Sequence, residues 1–191
     1  MKIGLLFGSF NPIHNGHLQI AEYMLMKTEL DKIWFVISPQ NPFKLNDLML
    51  NENQRLELVK LAVDGNDKLE ICDIEFLLDR PNFTINTLIE LSKMYSRNIF
   101  YPIIGGDNFQ NFHKWKEHEK ILNNYEILVY KRTDFEENNL LTNKNKIKIF
   151  NAPLLQISST QIRENLKNGL SVEHLVPKKI NDFITANNLY K

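Results

Sequence analysis

The pair His14 and His17 stands on either side of Gly16 in the stretch Gly8-Ser9-Phe10-Asn11-Pro12-Ile13-His14-Asn15-Gly16-His17, which follows a short apolar run and precedes a periodic helical pattern. That spacing aims two imidazoles at one anion near the start of a helix. Gly8, with no side chain, lets backbone approach a ligand closely. The helix start adds N–H groups and the positive end of its dipole, both of which favour phosphate. A histidine beside phosphate is stabilised in its charged form, which suits it to meet charge developing on a phosphoryl centre. Either histidine alone is more often a polar turn residue or a structural histidine. The pair, placed after a strand and before a helix, favours phosphate handling. No G-K-[ST] follows, so this is not the P-loop pattern.

A second polar cluster lies near the other end, in Ile157-Ser158-Ser159-Thr160-Gln161-Ile162-Arg163. By itself it describes a Ser/Thr helix cap followed by a solvated arginine. Arg163 falls one helical turn after Ser159 on the same face. Combined with the histidine motif, it supplies a forked guanidinium for nucleotide phosphates, a role in which lysine is a poor substitute. Two further segments have unusual chemistry: Pro42-Phe43-Lys44, and Gly105-Gly106-Asp107 with the aromatic residues Phe109, Phe112 and Trp115 after it. Trp115 alone is equally well read as a half-buried surface aromatic.

The elements that must carry these residues follow from hydrophobic periodicity. Ile3 to Phe7, Ile33 to Ile37, Leu69 to Ile74, Ile99 to Ile104, Glu126 to Tyr130 and Ile147 to Phe150 read as short buried strands. Helices are predicted from about His17 through Leu25, over Asn51 to Val63 with Gly65 as its stop, over Thr84 to Tyr95, before the fifth strand, from the Ser158 cluster to near Gly169, and from Pro177 to about Asn187. Thr133 to Lys146, rich in Asn and Lys, reads as a long surface loop. Alternating strands and helices predict an α/β fold: a doubly wound, mostly parallel sheet with helices on both faces, formed by residues 1–191 as one domain with the C-terminal helical segment 158–191 packed on it. Such sheets bind ligands beyond the carboxyl ends of their strands, where the winding reverses. The chemically unusual segments all fall there.

Composition narrows the class of partner. The 191 residues carry 23 Lys plus Arg and 23 Asp plus Glu, a formal charge of zero, so no basic excess favours nucleic acid. Hydrophobic residues make up 43%, enough for a packed core and too many for a disordered chain. No apolar run reaches the roughly 18 residues of a membrane span, and Met1-Lys2 opens no signal peptide, so a cytoplasmic protein is expected. Cys72, the only cysteine, sits in an apolar strand and reads as a buried small hydrophobe.

The motifs G-S-F-N-P-I-H-N-G-H-L and I-S-S-T-x-I-R resemble those of the nucleotidyltransferase superfamily, whose (T/H)-x-G-H and [ST]-x-x-x-[KR] elements bind ATP. Within it, the chain resembles bacterial nicotinate mononucleotide adenylyltransferases along essentially its whole length, through G-G-D-N-F, W-K-x-x-x-x-I-L and the closing L-V-P-x-x-I-x-x-F-I-x-x-N-x-L-Y. The resemblance implies a Rossmann-like nucleotidyltransferase fold and adenylyl transfer from ATP to nicotinate mononucleotide. It makes His14, His17 and Arg163 the catalytic residues. It gives ATP to Gly8, Ser9, Phe10, Gly105, Asp107, Ile157, Ser158, Ser159 and Thr160, and the mononucleotide to Lys44, Phe83, Thr84 and Trp115. It implies Mg²⁺ held mainly by phosphates and water, and neither nucleic acid nor membrane as partner. The chain departs from the usual pattern at Asn11, where the family places Asp before Pro, and at Asn82-Phe83-Thr84-Ile85-Asn86-Thr87, where the usual stretch reads Ser-Tyr-Thr-x-Asp-Thr.

Three alternatives stand beside this reading. A sister enzyme would accept nicotinamide mononucleotide or phosphopantetheine, against which the Trp115 segment and the C-terminal tail argue. A class I aminoacyl-tRNA synthetase shares an H-x-G-H-like element, yet 191 neutral residues leave no room for an anticodon domain. A silent nucleotide-binding module would not need the intact histidine pair and Arg163.

Overall fold

The computed structural model describes residues 1–39, 49–131, 144–152 and 156–191. Six strands, β1 (Lys2–Gly8), β2 (Lys32–Ile37), β3 (Leu69–Cys72), β4 (Ile99–Gly105), β5 (Ile127–Tyr130) and β6 (Ile147–Phe150), form one sheet in the order β3-β2-β1-β4-β5-β6. Every pairing in it is parallel. Parallel neighbours need crossovers, and the intervening chain supplies the helices α1 (Asn15–Lys27), α2 (Glu52–Val63), α3 (Thr84–Met94), α4 (Gly106–Gln110) and α5 (His118–Asn124); α6 (Ser159–Lys167) and α7 (Lys178–Ala186) follow β6. The winding reverses between β1 and β4, which lie side by side. The doubly wound sheet expected from the sequence is therefore present, and all-parallel.

Strand side chains alternate faces, so each strand feeds two cores. Leu6, Ile33, Phe35, Ile37 and Ile103 pack with Ile20 and Met24 of α1, Leu58 and Val59 of α2, Ile162 of α6, and Ile180 and Ile184 of α7. Ile3, Leu5, Trp34, Val36, Phe100, Ile104 and Val129 pack with Leu88 and Leu91 of α3, Ile121 and Leu122 of α5, and Phe112. The tail residues Leu189 and Tyr190 join the first core.

Local signals set most boundaries. Asn51 caps α2, its side chain accepting from Gln54 N at 2.9 Å. Gly65 and Gly169 follow α2 and α6 with φ of +87° and +70°, the left-handed conformation that lets a helix end sharply. Three differences from expectation concern strand ends. Strand β3 stops at Cys72 because Ile74–Phe76 turn into a 3₁₀ helix, closed by Leu77 N donating to Ile74 O. Gly106 and Asp107 are the first turn of a short helix, α4, which periodicity gave no reason to expect. Lys144–Lys146, the described end of the Asn/Lys-rich segment, form a 3₁₀ turn; the rest of that segment lies outside the described residues.

Among the described residues no helix is long and apolar enough to cross a membrane. Cys72 is buried, and desolvation pushes its thiol up to about 11. The native protein should therefore resist iodoacetamide at pH 8 while the guanidinium-unfolded chain is alkylated fully; mass spectrometry showing rapid native labelling would mean that β3 opens or that the thiol is exposed.

Candidate active site

The loop leaving β1 is built around a ring, not a gap. A Cβ at Gly8 would lie 2.9 Å from the Phe10 ring, so the space glycine leaves is taken by Phe10. Phe10 adopts φ +46°, and its ring is buried edge-on against Phe35 and His17, with centroids 5.4 and 5.1 Å away. Phe10 was assigned to ATP; its side chain belongs to the core, which leaves its backbone for ligand contact.

His14 precedes α1, and the two imidazoles stack with centroids 3.8 Å apart and planes 27° apart. Gly16 permits this, since a Cβ there would press on the His14 ring at 3.1 Å. His17 Nδ1 accepts from the His14 backbone N–H at 3.3 Å. Neutral His17 therefore carries its proton on Nε2, at the outer end of the ring. His14 is buried and His17 half-buried. The helix start is less open than expected for an anion site: Asn15 N donates to Leu175 O at 3.0 Å and His17 N to His14 O at 2.9 Å. The rings, more than these N–H groups, are what this turn offers a phosphate.

The second motif sits directly behind the first. Ser158 caps α6, accepting from Gln161 N at 3.1 Å. Ser159 Oγ donates to Pro12 O at 3.0 Å, and Arg163 Nη1 donates to Asn11 O at 2.9 Å. Arg163 Nη2 also reaches Thr160 Oγ1 at 3.3 Å, which fixes the plane of the half-exposed guanidinium beside the histidine loop. Ile157 flanks Gly16, its Cβ 3.8 Å from where a Gly16 side chain would begin. Segments nearly 150 positions apart thus form one surface.

Across the switch point, Gly105 ends β4 and Asp107 is exposed in the first turn of α4. A Cβ at Gly105 would meet Asp107 Oδ1 at 2.6 Å, so this glycine makes room for the carboxylate. Phe83 occupies the cap position of α3 and offers no capping side chain, so Thr84 opens the helix uncapped. Lys116 Nζ lies 4.4 Å from the Phe83 ring centroid, and the half-buried Trp115 tilts against Phe112 with centroids 5.2 Å apart. The predicted mononucleotide residues Phe83, Thr84 and Trp115 are therefore brought to one side of the sheet end. Lys44 lies outside the described residues.

Sequence reasoning missed the groups that hold these loops. Arg55 of α2 is fully buried and donates only to carbonyl oxygens among its resolved bonds: Ser9 O at 2.8 Å, Ser38 O at 2.6 Å, Pro39 O at 2.7 Å and Leu50 O at 3.1 Å. Burial disfavours its charge and lowers its pKa, with Glu52 acting in the opposite sense. The signal was rarity: an arginine within an apolar helical stripe, in a chain with 18 lysines and five arginines. Glu75 is also buried, its carboxylate accepting from Thr87 Oγ1 at 2.7 Å and bonded by the Ser38 hydroxyl. It ties the end of β2 to α3, and nothing in its sequence context marks it.

The chain matches the cytidylyltransferase-like family model over residues 5–165. A Flavobacterium psychrophilum protein bearing the name "Probable nicotinate-nucleotide adenylyltransferase" is 48% identical over the full length of both chains. A Cytophaga hutchinsonii protein of the same name is 45% identical over 100% of this chain and 98% of its own. Among solved structures, Plasmodium falciparum nicotinic acid mononucleotide adenylyltransferase complexed with NaAD shares the fold, with a TM-score of 0.79 at 20% identity over 99% of this chain and 97% of that one.

Glu75 gives the site a testable pH signature. Burial raises its pKa above the ordinary 4.5, the Thr87 and Ser38 bonds opposing in part, so the folded state holds the proton more tightly than the unfolded chain. The stability from this group is complete below pH 4.5 and is lost as pH rises through the folded value. Glu75→Gln cannot titrate, so between pH 4 and 7 the wild type should lose stability relative to the variant. Urea midpoints of the two proteins that shift in parallel over this range would remove Glu75 from the account.

Proposed function

The chain belongs to the nicotinate-nucleotide adenylyltransferases within the cytidylyltransferase-like family, and from that premise we propose how its own residues carry the reaction. It transfers the adenylyl group of ATP to nicotinate mononucleotide, giving nicotinate adenine dinucleotide and pyrophosphate in NAD biosynthesis. The observation that carries the residue assignment is the joining of the two nucleotide motifs: Arg163 and Ser159 donate to Asn11 O and Pro12 O, beside the stacked His14 and His17. We take residues 1–191 as one nucleotidyltransferase domain.

A 5′-phosphate oxygen of the mononucleotide forms a bond to the α-phosphorus of ATP. The bond from that phosphorus to the oxygen leading to the β-phosphorus breaks, and its electron pair leaves with pyrophosphate. A phosphate monoester has a second pKa near 6, so the nucleophile is largely dianionic at neutral pH and needs no general base. The protein then has to position the reactants and stabilise charge. His17 Nε2–H and His14 donate to the reacting phosphates, and Arg163 meets the phosphate charge. Gly8, Ser9, Phe10, Gly105 and Ile157 contribute backbone surface, Asp107 meets the ribose, and Ser158, Ser159 and Thr160 line the nucleotide from α6.

Enzymes of this family use ATP with a divalent metal. Among the described residues no three His, Cys, Asp or Glu side chains are grouped to hold one. We propose that the metal is Mg²⁺ arriving on ATP and keeping several waters, where it would neutralise charge on the departing pyrophosphate. ATP and nicotinate mononucleotide are the partners, and we place the protein in the cytoplasm.

Choice of the acid over the amide rests on the start of α3. The uncapped first turn at Thr84 places N–H groups and a positive dipole end where a nicotinate carboxylate can meet them, while Trp115 covers the ring. A side-by-side kcat/KM for nicotinate and nicotinamide mononucleotides, read as pyrophosphate release, should favour the acid. Release with phosphopantetheine and neither pyridine nucleotide would overturn the assignment.

Two substitutions separate the halves of the site. His17→Ala should lower kcat by at least about 100-fold, the scale for removing a transition-state donor; near-normal turnover would exclude His17 from the chemistry. Trp115→Ala should chiefly raise KM for the mononucleotide. A change confined to the ATP KM would contradict its placement.

A further inference from the structure

The last residues of the chain reach the ATP loop through a single buried side chain. Asn11 is 2% exposed and Tyr190 7% exposed. Asn11 Oδ1 accepts from Tyr190 Oη at 2.9 Å and from Leu50 N at 3.2 Å, while Asn11 O accepts from Arg163 Nη1 at 2.9 Å. One residue of the loop thereby receives donors from α6, from the start of α2 and from the C-terminal tail.

The tail is bent to make this contact. Asn188, with φ +50°, ends α7 in a Schellman turn that Asn readily adopts, whereas Tyr190 takes φ +65°, a left-handed conformation unfavourable for a bulky residue. Leu189 N turns back to Ile184 O at 3.0 Å between them. Burial raises the pKa of the Tyr190 phenol, with Arg163 and Arg55 opposing, so the hydroxyl is a neutral donor throughout the working range. A ring delivered for packing alone would not need its oxygen placed on a buried acceptor.

We propose that Tyr190 is a positioning residue for the ATP half of the reaction: its hydroxyl, acting through Asn11, fixes the loop that carries Ser9, Phe10 and His14 and the carbonyl that orients Arg163. The inference rests on the adenylyl-transfer reading of this site. Removing the hydroxyl takes away one donor of Asn11 Oδ1 and loosens the hold on the Asn11 side chain, three residues from His14, while the Leu50 N bond stays. The mononucleotide residues Phe83, Thr84 and Trp115 are attached through α3 and the α4–α5 connection, away from this contact.

Tyr190→Phe keeps the ring and tests the hydroxyl. The expected result is a fall of about fivefold in kcat/KM for ATP, the scale of one neutral hydrogen bond, with the mononucleotide KM within about twofold of wild type. Asn11→Leu should give a comparable ATP defect, and the double variant should be no worse than Asn11→Leu, because both changes remove the same bond. Unchanged ATP kinetics in Tyr190→Phe, equal loss toward both substrates, or additive losses in the double variant would each overturn the proposal. If Asn11→Leu does not fold, the contrast between the two substrates in Tyr190→Phe decides alone. Hydrogen exchange over Ser9 to His14 reads the loop without turnover: faster exchange in Tyr190→Phe supports the proposal and unchanged exchange sinks it, even if wild-type protein fails to release pyrophosphate and the functional reading itself falls.

Discussion

The whole site depends on how the carbonyls of one loop are held. Between β1 and α1, Ser9 O is bonded by Arg55, Asn11 O by Arg163 and Pro12 O by Ser159. In a trans peptide the C=O and the following N–H point in opposite directions. Fixing Ser9 O toward Arg55 therefore turns Phe10 N–H to the other side, and fixing Pro12 O toward Ser159 does the same for Ile13 N–H. Donors from α2 and α6 thus choose which way the loop presents its polar groups. The parallel sheet makes this possible, because it brings the C-terminal ends of β1, β2 and β4 to one edge however far apart they lie in sequence.

Net neutrality of the chain acquires a spatial meaning in this light. Lys2 pairs with Glu29, Lys32 with Glu70, Lys60 with Glu57, Lys178 with Asp182 and Lys179 with Asp64, so many lysines are offset locally on the surface. Such exposed pairs contribute little to stability. Arg55 and Arg163 differ, in that their resolved hydrogen bonds go to carbonyls and a hydroxyl. Glu52, the carboxylate that acts on Arg55, is itself bonded to Arg80. Arg55 and Arg163 thus stand beside the carbonyls of the loop between β1 and α1, and the low dielectric around the buried Arg55 lengthens the reach of its charge.

What was legible in the sequence was what depends on local periodicity and on motifs with short spacing. Among the described residues, the six strands and six of the seven α-helices followed from apolar alternation and turn residues. The two histidines are three positions apart with Gly16 between them, so their geometry follows from the start of a single helix. The missing parts are long-range. Arg55 bonds carbonyls 5 to 46 positions away, and carbonyls carry no sequence identity, so the bonds leave no mark in residue types. The motif around Phe10 does not show that its ring is the filler on which the Gly8 turn and His17 rest, because that packing depends on Phe35 of β2 as well.

Asn11 shows why a departure from a family pattern need not cost the site. The position requires an acceptor, because both Tyr190 Oη and Leu50 N point at it as donors. An amide oxygen and a carboxylate oxygen satisfy that requirement equally in geometry. They differ in charge: a carboxylate at 2% exposure carries a large desolvation cost, which nearby arginines would have to offset. Asn11 avoids that cost while keeping the acceptor. The same two donors are accepted with one negative charge fewer beside the carbonyl that Arg163 bonds.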